Sequence, residues 1–551
     1  MLVITLLAST CLLPVKVAGQ PYFQETAPGK YRVVLTDKDN NPFSLDRPDE
    51  FLSARALYRR QKQGVALSFN DLPVTPAYLD SIRKAGAEIL TVSKWLNAVT
   101  IKSDQDSILE RIAVLPFVRT DFPKTSIALK AAPSPRISKF DESYYNPVTD
   151  YGVALAQISM HNGQLLHERG FTGEGVQIAL LDAGFYRANE LPVFARLRDN
   201  GQILGTRDFV DRSSDIYQEY SHGTVVMSII GGYLPGEFTG TAPDADFWLL
   251  RSEDVHSEYI IEEDNWIAAA EYADSLGADI INTSLGYSWF DAPEQDHAYA
   301  DMDGNTTRVS LGADIAASKG MLVVVSAGNQ GGSYWGYITA PSDADSVLAV
   351  GAVNANGVIA SFSGRGPSSD GRVKPDVVAT GEGTFVSDYS GTIRQGNGTS
   401  LSAPIITGLA ACLWQAVPEA SAMDVLRAIK SSADRFMDPD TSYGYGIPDF
   451  NLACVLLKAM QPDTGKSWQF LTFPNPFRNE LYVLFDEPLD ENITVTLVHE
   501  DGSIVWQGVY PANVNRIYLK FGDEFSNLSK GVYLLKIYSS KYTGYSKLIK
   551  Y

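Results

Sequence analysis

Through the middle of the chain, short unbroken apolar runs alternate with longer patterns of mixed polarity. VQIALLDAG from Val176, ADFWLLRS from Ala245, ADIINTSLG from Ala278 and MLVVVSAGN from Met321 are rich in aliphatic and β-branched residues, as strands covered on both faces must be. Between them lie helical patterns, HGTVVMSIIGG from His222 and the stretch Glu262–Leu276. Apolar strands alternating with helices over residues 150–458 predict an α/β domain with a parallel sheet and helices on both faces. In such sheets chemistry gathers at the carboxyl ends of the strands. Three of the runs end in DAG, SLG and SAGN, each with a glycine that lets a backbone approach a ligand closely.

The flanks follow other periods. Residues 20–130 mix β-like runs (Tyr31–Leu35, Ala98–Ile101) with helical patterns (Pro48–Gln63, Pro76–Ala85, Asp104–Val114), which predicts a small α+β unit. Residues 131–149, rich in Ala, Pro, Ser and Tyr without a sustained period, read as a cleavable linker. A polar bridge at 459–470 leads to residues 471–551, where runs such as ELYVLF, ITVTLVH and GVYLLKIYS predict a β-sandwich of about seven strands. At the other end, Leu2–Val15 is apolar, too short to span a bilayer, and is followed by Val17, Ala18 and Gly19. That is an export signal at 1–19, cleaved near Gly19, although it lacks the usual basic start.

Composition narrows the classes. At 551 residues, with 45% hydrophobic and 20% charged, the chain is globular and long enough for about three or four folded units. Its 45 Lys plus Arg against 65 Asp plus Glu give a net charge of −20, which repels phosphate backbones and argues against nucleic acid as a partner. Of three cysteines, Cys11 lies in the leader, and Cys412 and Cys454 sit in apolar helical contexts that suit buried free thiols.

Acyl transfer to a hydroxyl needs a nucleophile, a base, a carboxylate to orient the base, and donors for the oxyanion. Asp182 ends an apolar strand, His222 opens an apolar helix before Gly223 and Thr224, and Asn329 ends the MLVVVSAGN strand. Ser400 stands in GNGTSLSAP, a glycine-rich loop entering a helix with Pro404 in its first turn, where its own N–H and the helix dipole face a developing negative charge. Taken singly, each has a plainer reading: a turn cap for Asp182, a structural histidine, an N-cap serine or threonine, a turn asparagine.

Taken together, in the order Asp182, His222, Asn329, Ser400, the motifs DAG, HGT, SLG, SAGN and GTSLSAP resemble those of the subtilisin-like serine proteases, the subtilases, over about 300 residues. The resemblance implies that Ser400 is the nucleophile, His222 the general base, Asp182 its orienting carboxylate and Asn329 an oxyanion donor. It also implies that Ser284, Leu285 and Gly286, with Ser326, Ala327 and Gly328, line the first specificity pocket, and that Tyr287–Thr307 is an insertion shaping substrate choice. Two positions depart from the family pattern: Ala183 follows the aspartate in place of a hydroxyl residue, and Leu401 follows the nucleophile where Met is common. Calcium is frequent in the family, and DMDGN offers Asp301 and Asp303, but the match assigns no metal ligand and the chemistry requires no cofactor.

The same resemblance extends to the flanks. Residues 20–130 are similar to subtilase propeptides, which chaperone and inhibit the enzyme. The tail, with FPNPFRNELYV, LSKGVYLLKIY and YSKLIKY, resembles the C-terminal sorting domains of type IX secretion. A secreted or surface-exposed serine endopeptidase follows, with protein or peptide substrates, its own propeptide and the secretion machinery as partners. Two other readings stand beside it. One is a catalytically silent binding protein on a protease scaffold. The other is an α/β-hydrolase esterase, whose G-x-S-x-G motif and serine-first order do not fit GTSLS after His222.

Overall fold

The computed structural model describes residues 22–120, 150–436, 438–461, 470–485, 489, 491–499, 502–513, 518–539 and 543–551. The expected signal at 1–19, Cys11 and the linker 131–149 lie outside these residues, and only the ends of the 459–470 bridge lie within them.

The central unit is built on a seven-stranded sheet in the order Val377–Thr380, Leu348–Val353, Leu322–Ser326, Ile280–Thr283, Gln177–Asp182, Asp246–Arg251, Ile203–Asp208. Every pairing is parallel. Side chains alternate between two cores. Ile178, Leu180, Val324 and Val350 meet the helices His222–Gly231 and Thr399–Ala416 on one face. Ala179, Leu181, Val323 and Val325 meet Ile261–Leu276 and Arg308–Ser318 on the other. Burial on both faces is why these strands read as unbroken apolar runs. From Gln177–Asp182 the chain first builds outward to one side and then, from Ile280, to the other, so a crevice opens at the carboxyl ends beside Asp182.

The N-terminal unit is a four-stranded antiparallel sheet, Gln24–Ala27, Lys30–Val34, Ala98–Lys102, Glu88–Ser93 in spatial order, with helices Ala54–Gln63, Pro76–Lys84 and Asp106–Ala113. The single helix expected over Pro48–Gln63 is two elements: a 3-10 turn at Pro48–Glu50, then a new start at Ser53, whose hydroxyl accepts the Ala56 N–H at 3.1 Å. An N-cap of this kind needs extended backbone, which interrupts the helical period.

The C-terminal unit has seven strands among the described residues, as three (Phe470–Phe473, Leu481–Phe485, Tyr518–Phe521) and four (Ile504–Tyr510, Ile493–His499, Gly531–Tyr538, Thr543–Lys550). They enclose a core around Phe477, Leu497, Phe521 and Leu535. No described helix is long and apolar enough to cross a membrane.

Candidate active site

Asp182 is the last residue of its strand and is almost fully buried. Its Oδ1 accepts the Ala183 N–H at 2.8 Å, so a backbone donor reaches the carboxylate although residue 183 has no hydroxyl. The chain then turns through Gly184, whose φ of +148° and contact with Tyr220 leave no room for a side chain. This turn is clamped to the start of the His222–Gly231 helix: Gly223 N donates to Gly184 O at 3.0 Å and Thr224 Oγ1 to Tyr186 O at 2.8 Å. The helix start thereby sets His222 over the strand end. His222 Nδ1 lies 2.8 Å from Asp182 Oδ1 and 3.1 Å from Oδ2. Burial disfavours the imidazolium, but the Asp182 charge and hydrogen bond outweigh it, and the His222 pKa is raised above its ordinary value.

Ser400 is the second residue of the helix Thr399–Ala416. Its N–H is therefore among those without an intrahelical acceptor. Pro404 is not in the first turn but sits inside the helix as its sixth residue, because the helix already begins at Thr399, directly after Gly398. Position 404 would ordinarily donate to the carbonyl of residue 400. Lacking an N–H, it frees that carbonyl, and Ser284 Oγ donates to it at 2.9 Å. The SLG motif is thus fastened to the helix that carries Ser400. Leu401 is buried behind Ser400.

Asn329 follows its strand with the carboxamide fixed by the same helix start: its Oδ1 accepts Thr399 N at 2.8 Å and Thr399 Oγ1 at 3.0 Å. That leaves Nδ2 free to face Ser400. A Cβ placed on Gly398 would lie 2.9 Å from Ser400 Oγ and 3.8 Å from both Ser400 N and Asn329 Nδ2. One hydroxyl and two N–H donors thus surround a single small volume that glycine keeps open. The His222 and Ser400 helices pack on each other. Their side chains are not hydrogen-bonded here, and such contacts commonly tighten only when substrate binds.

Beside this volume, Leu285 is half-buried and Gly286 exposed. Across from them Ser326, Ala327 and Gly328 are buried, with Ser326 Oγ 3.4 Å from Leu285 O and Ala327 N bonded to Val350 O. The two segments flank Thr339, which sequence reasoning missed. Its hydroxyl lies 2.2 Å from where a Cβ on Gly286 would stand and 2.7 Å from one on Gly328. Both glycines are thus required by Thr339 itself, and nothing near residue 339 in the sequence marks it. In the Tyr287–Thr307 stretch, Tyr287 hydrogen-bonds Glu253 and His297 Nε2 bonds Glu263 Oε1 at 2.5 Å. Asp301 accepts Ala298 N at 2.8 Å, and Asp303 accepts Asn305 N at 2.8 Å and Thr306 Oγ1 at 2.9 Å. These carboxylates serve turns, and no cluster of three metal-ligating groups occurs among the described residues. Cys412 and Cys454 are free and buried.

Residues 173–446 match the subtilase family. The chain carries a subtilase domain. Residues 30–139 match the peptidase S8 propeptide domain of Bacteroidota, and 471–551 a secretion system C-terminal sorting domain. The chain is 28% identical over 343 residues to the subtilisin-like protease SBT6.1 of Arabidopsis thaliana, covering 57% of this chain and 30% of that one. It is 29% identical over 317 residues to the serine protease AprX of Bacillus subtilis (strain 168), covering 52% and 66%. With subtilisin E of the same bacterium it shares 26% over 372 residues, covering 67% and 83%. The chain thus spans less than a third of the plant relative and about two thirds of AprX. The subtilase domain is thus preceded by a match to a propeptide domain and followed by a sorting domain, and the sorting domain marks a secreted or cell-surface protein.

Proposed function

We propose that the protein is a secreted endopeptidase that cleaves peptide bonds through an acyl-enzyme formed on Ser400. The observation that carries this reading is the convergence of Ser400 Oγ, Ser400 N and Asn329 Nδ2 beside Gly398, with half-buried His222 held by buried Asp182. Ser400 Oγ attacks the scissile carbonyl and gives its proton to His222 Nε2. Asp182 holds His222 Nδ1–H, fixing the tautomer and stabilising the imidazolium. The tetrahedral oxyanion accepts from Asn329 Nδ2 and Ser400 N–H, and loss of one such donor costs about a hundred- to a thousandfold in turnover. His222 then protonates the departing amine, and water drawn in by the same base releases the acid and restores Ser400.

The segments Ser284–Gly286 and Ser326–Gly328 receive the residue before the scissile bond. The N-terminal unit acts as inhibitor until its removal, with a mature N-terminus between Ala131 and Tyr151. The N-terminal signal and the tail direct export through type IX machinery. Calcium, if bound, is structural, since this chemistry calls for no cofactor.

A fluorophosphonate probe on the matured chain tests the reading: labelling of Ser400 in the wild type and none in Ser400→Ala is expected. No labelling in correctly matured wild type would favour a silent binding protein instead.

A further inference from the structure

Arg251 ends the strand Asp246–Arg251 with its guanidinium almost fully buried. In the sheet it stands between the last residues of two neighbouring strands, Asp182 on one side and Asp208 on the other. Residues abreast in a parallel sheet point to the same face, so the arginine shares with Asp182 the face on which the His222–Gly231 helix packs. A cation at the end of an apolar strand is costly unless its donors are engaged. Three separate segments engage them here.

Arg251 Nε donates to Ala183 O at 3.2 Å, and Nη1 donates to Asp208 Oδ2 at 2.9 Å and to Ser214 Oγ at 3.5 Å. Nη2 pairs with Glu219 Oε2 at 3.3 Å. Asp208 is held independently, its Oδ1 accepting Val210 N at 2.7 Å and Asp211 N at 2.9 Å. It is a fixed post for the guanidinium. The other contacts fall on the parts that place the acid and the base. Ala183 has both backbone groups engaged, its N–H on Asp182 Oδ1 and its carbonyl on Arg251, in a turn where residue 183 has no hydroxyl to add. Glu219 stands three residues before His222.

That loop needs an anchor. Residues 209–221 separate the edge strand Ile203–Asp208 from the His222 helix, and Ser221 makes no side-chain cap at the helix start. The loop is instead seamed to the turn after Asp182: Phe185 N donates to Ile216 O at 2.9 Å, Arg187 N to Tyr217 O at 3.0 Å and Tyr186 N to Tyr220 O at 3.2 Å. Arg251 bridges the same two segments through Ala183 and Glu219, next to Asp182 itself.

Resting on the peptidase reading, we propose that Arg251 is a positioning residue: its guanidinium fork ties the Asp182 turn, the edge strand and the loop before His222 into one frame, which holds the imidazole in register with Asp182 during the reaction.

The test uses the full chain after maturation and a fluorogenic peptide that the wild type cleaves. Arg251→Lys keeps the charge, but one ammonium cannot span three acceptors set by a planar fork. With its fold verified by circular dichroism, it should lose on the order of thirty- to a hundredfold in kcat while KM stays within about threefold. Its pH–rate midpoint should also fall toward 6.5, because a displaced His222 loses part of the Asp182 interaction that raises it. Glu219→Gln, which leaves Arg251 its other acceptors, should lower kcat by about three- to tenfold and move the midpoint the same way. The control is Lys374, whose buried pair with Asp376 at 2.8 Å lies by the opposite edge strand, Val377–Thr380. Lys374→Met should lower the melting temperature but leave kcat within about twofold and the midpoint unmoved.

A lower melting temperature in Arg251→Lys with kcat and midpoint unchanged would make the arginine a stabiliser only and overturn the proposal. A raised KM at unchanged kcat would overturn it too, as would a Lys374→Met protein that reproduces the Arg251→Lys kinetics. Should Arg251→Lys fail to fold, Glu219→Gln decides: kinetics and midpoint equal to wild type overturn the positioning role. All of these leave the peptidase reading intact, whereas a wild type that cleaves no peptide overturns that reading and the positioning role with it.

Discussion

Pro404 makes Ser400 depend on a hydroxyl more than a hundred positions away. The carbonyl it releases is buried with Ser284 Oγ as its donor, and a buried acceptor left unpaired costs about 1–3 kcal/mol. Ser284→Ala should lower the melting temperature and, because the helix start loses its tether, reduce kcat/KM on the order of tenfold. Steady-state kinetics with thermal melts would show both. His222 makes a second prediction. The base must be neutral to accept a proton, and its pKa lies above the ordinary 6.5, so kcat/KM should rise with pH through a midpoint above that value. Asp182→Asn removes the charge and leaves burial, which moves the midpoint below 6.5 and lowers kcat by roughly ten-thousandfold. A pH–rate profile of each form checks the sign. Leu401 adds a third: with no thioether beside the nucleophile, activity should survive peroxide doses that oxidise the methionines of other proteins, as residual-activity assays would reveal.

At the scale of elements, the strands and their ends were legible because burial on both faces forces an apolar run and the functional turns follow directly. The helix Ile261–Leu276 was legible only in extent. Its Glu262, Glu263, Asp264, Glu271 and Asp274 are all buried, which a helical pattern of mixed polarity does not reveal. For Asp264, Glu271 and Asp274 the reason lies some two hundred residues earlier. Arg59 and Arg60 of the N-terminal unit bond Asp274, Arg32 pairs with Asp264, and Glu271 accepts Ser93 Oγ, Lys94 N and Trp95 N at 2.6, 2.8 and 2.9 Å. No local period can reveal a partner supplied by another domain, and the same blindness hid Thr339 and the Ser284 tether. Removing Asp274 strands two buried guanidinium groups, a loss of about 3–5 kcal/mol. Asp274→Ala should therefore lower the melting temperature of an uncleaved Ser400→Ala precursor by several degrees. It should do little in the matured chain, from which those arginines have gone. Calorimetry of both forms makes the comparison.

On the scale of the whole molecule, the tail contributes none of Asp182, His222, Asn329 and Ser400 but does touch the central unit. Tyr518 stacks on Phe436 at 6.1 Å, and Leu484 joins the same core. Deleting residues 471–551 should leave kcat/KM on small peptides within about twofold while uncovering Phe436 to apolar dyes. The active protein should then remain with the cells instead of reaching their surface or medium, and fractionation followed by fluorophosphonate labelling would locate it. The place of Ser400 in the proposed mechanism has a further consequence for biosynthesis. Ser400 lies on a helix that runs to Ala416 and packs beneath a sheet whose strands all precede it. A nascent or prematurely terminated polypeptide ending before that helix possesses the acid and the imidazole but no hydroxyl to attack with, so a ribosome that stalls along most of the message releases no destructive product into the cell that made it.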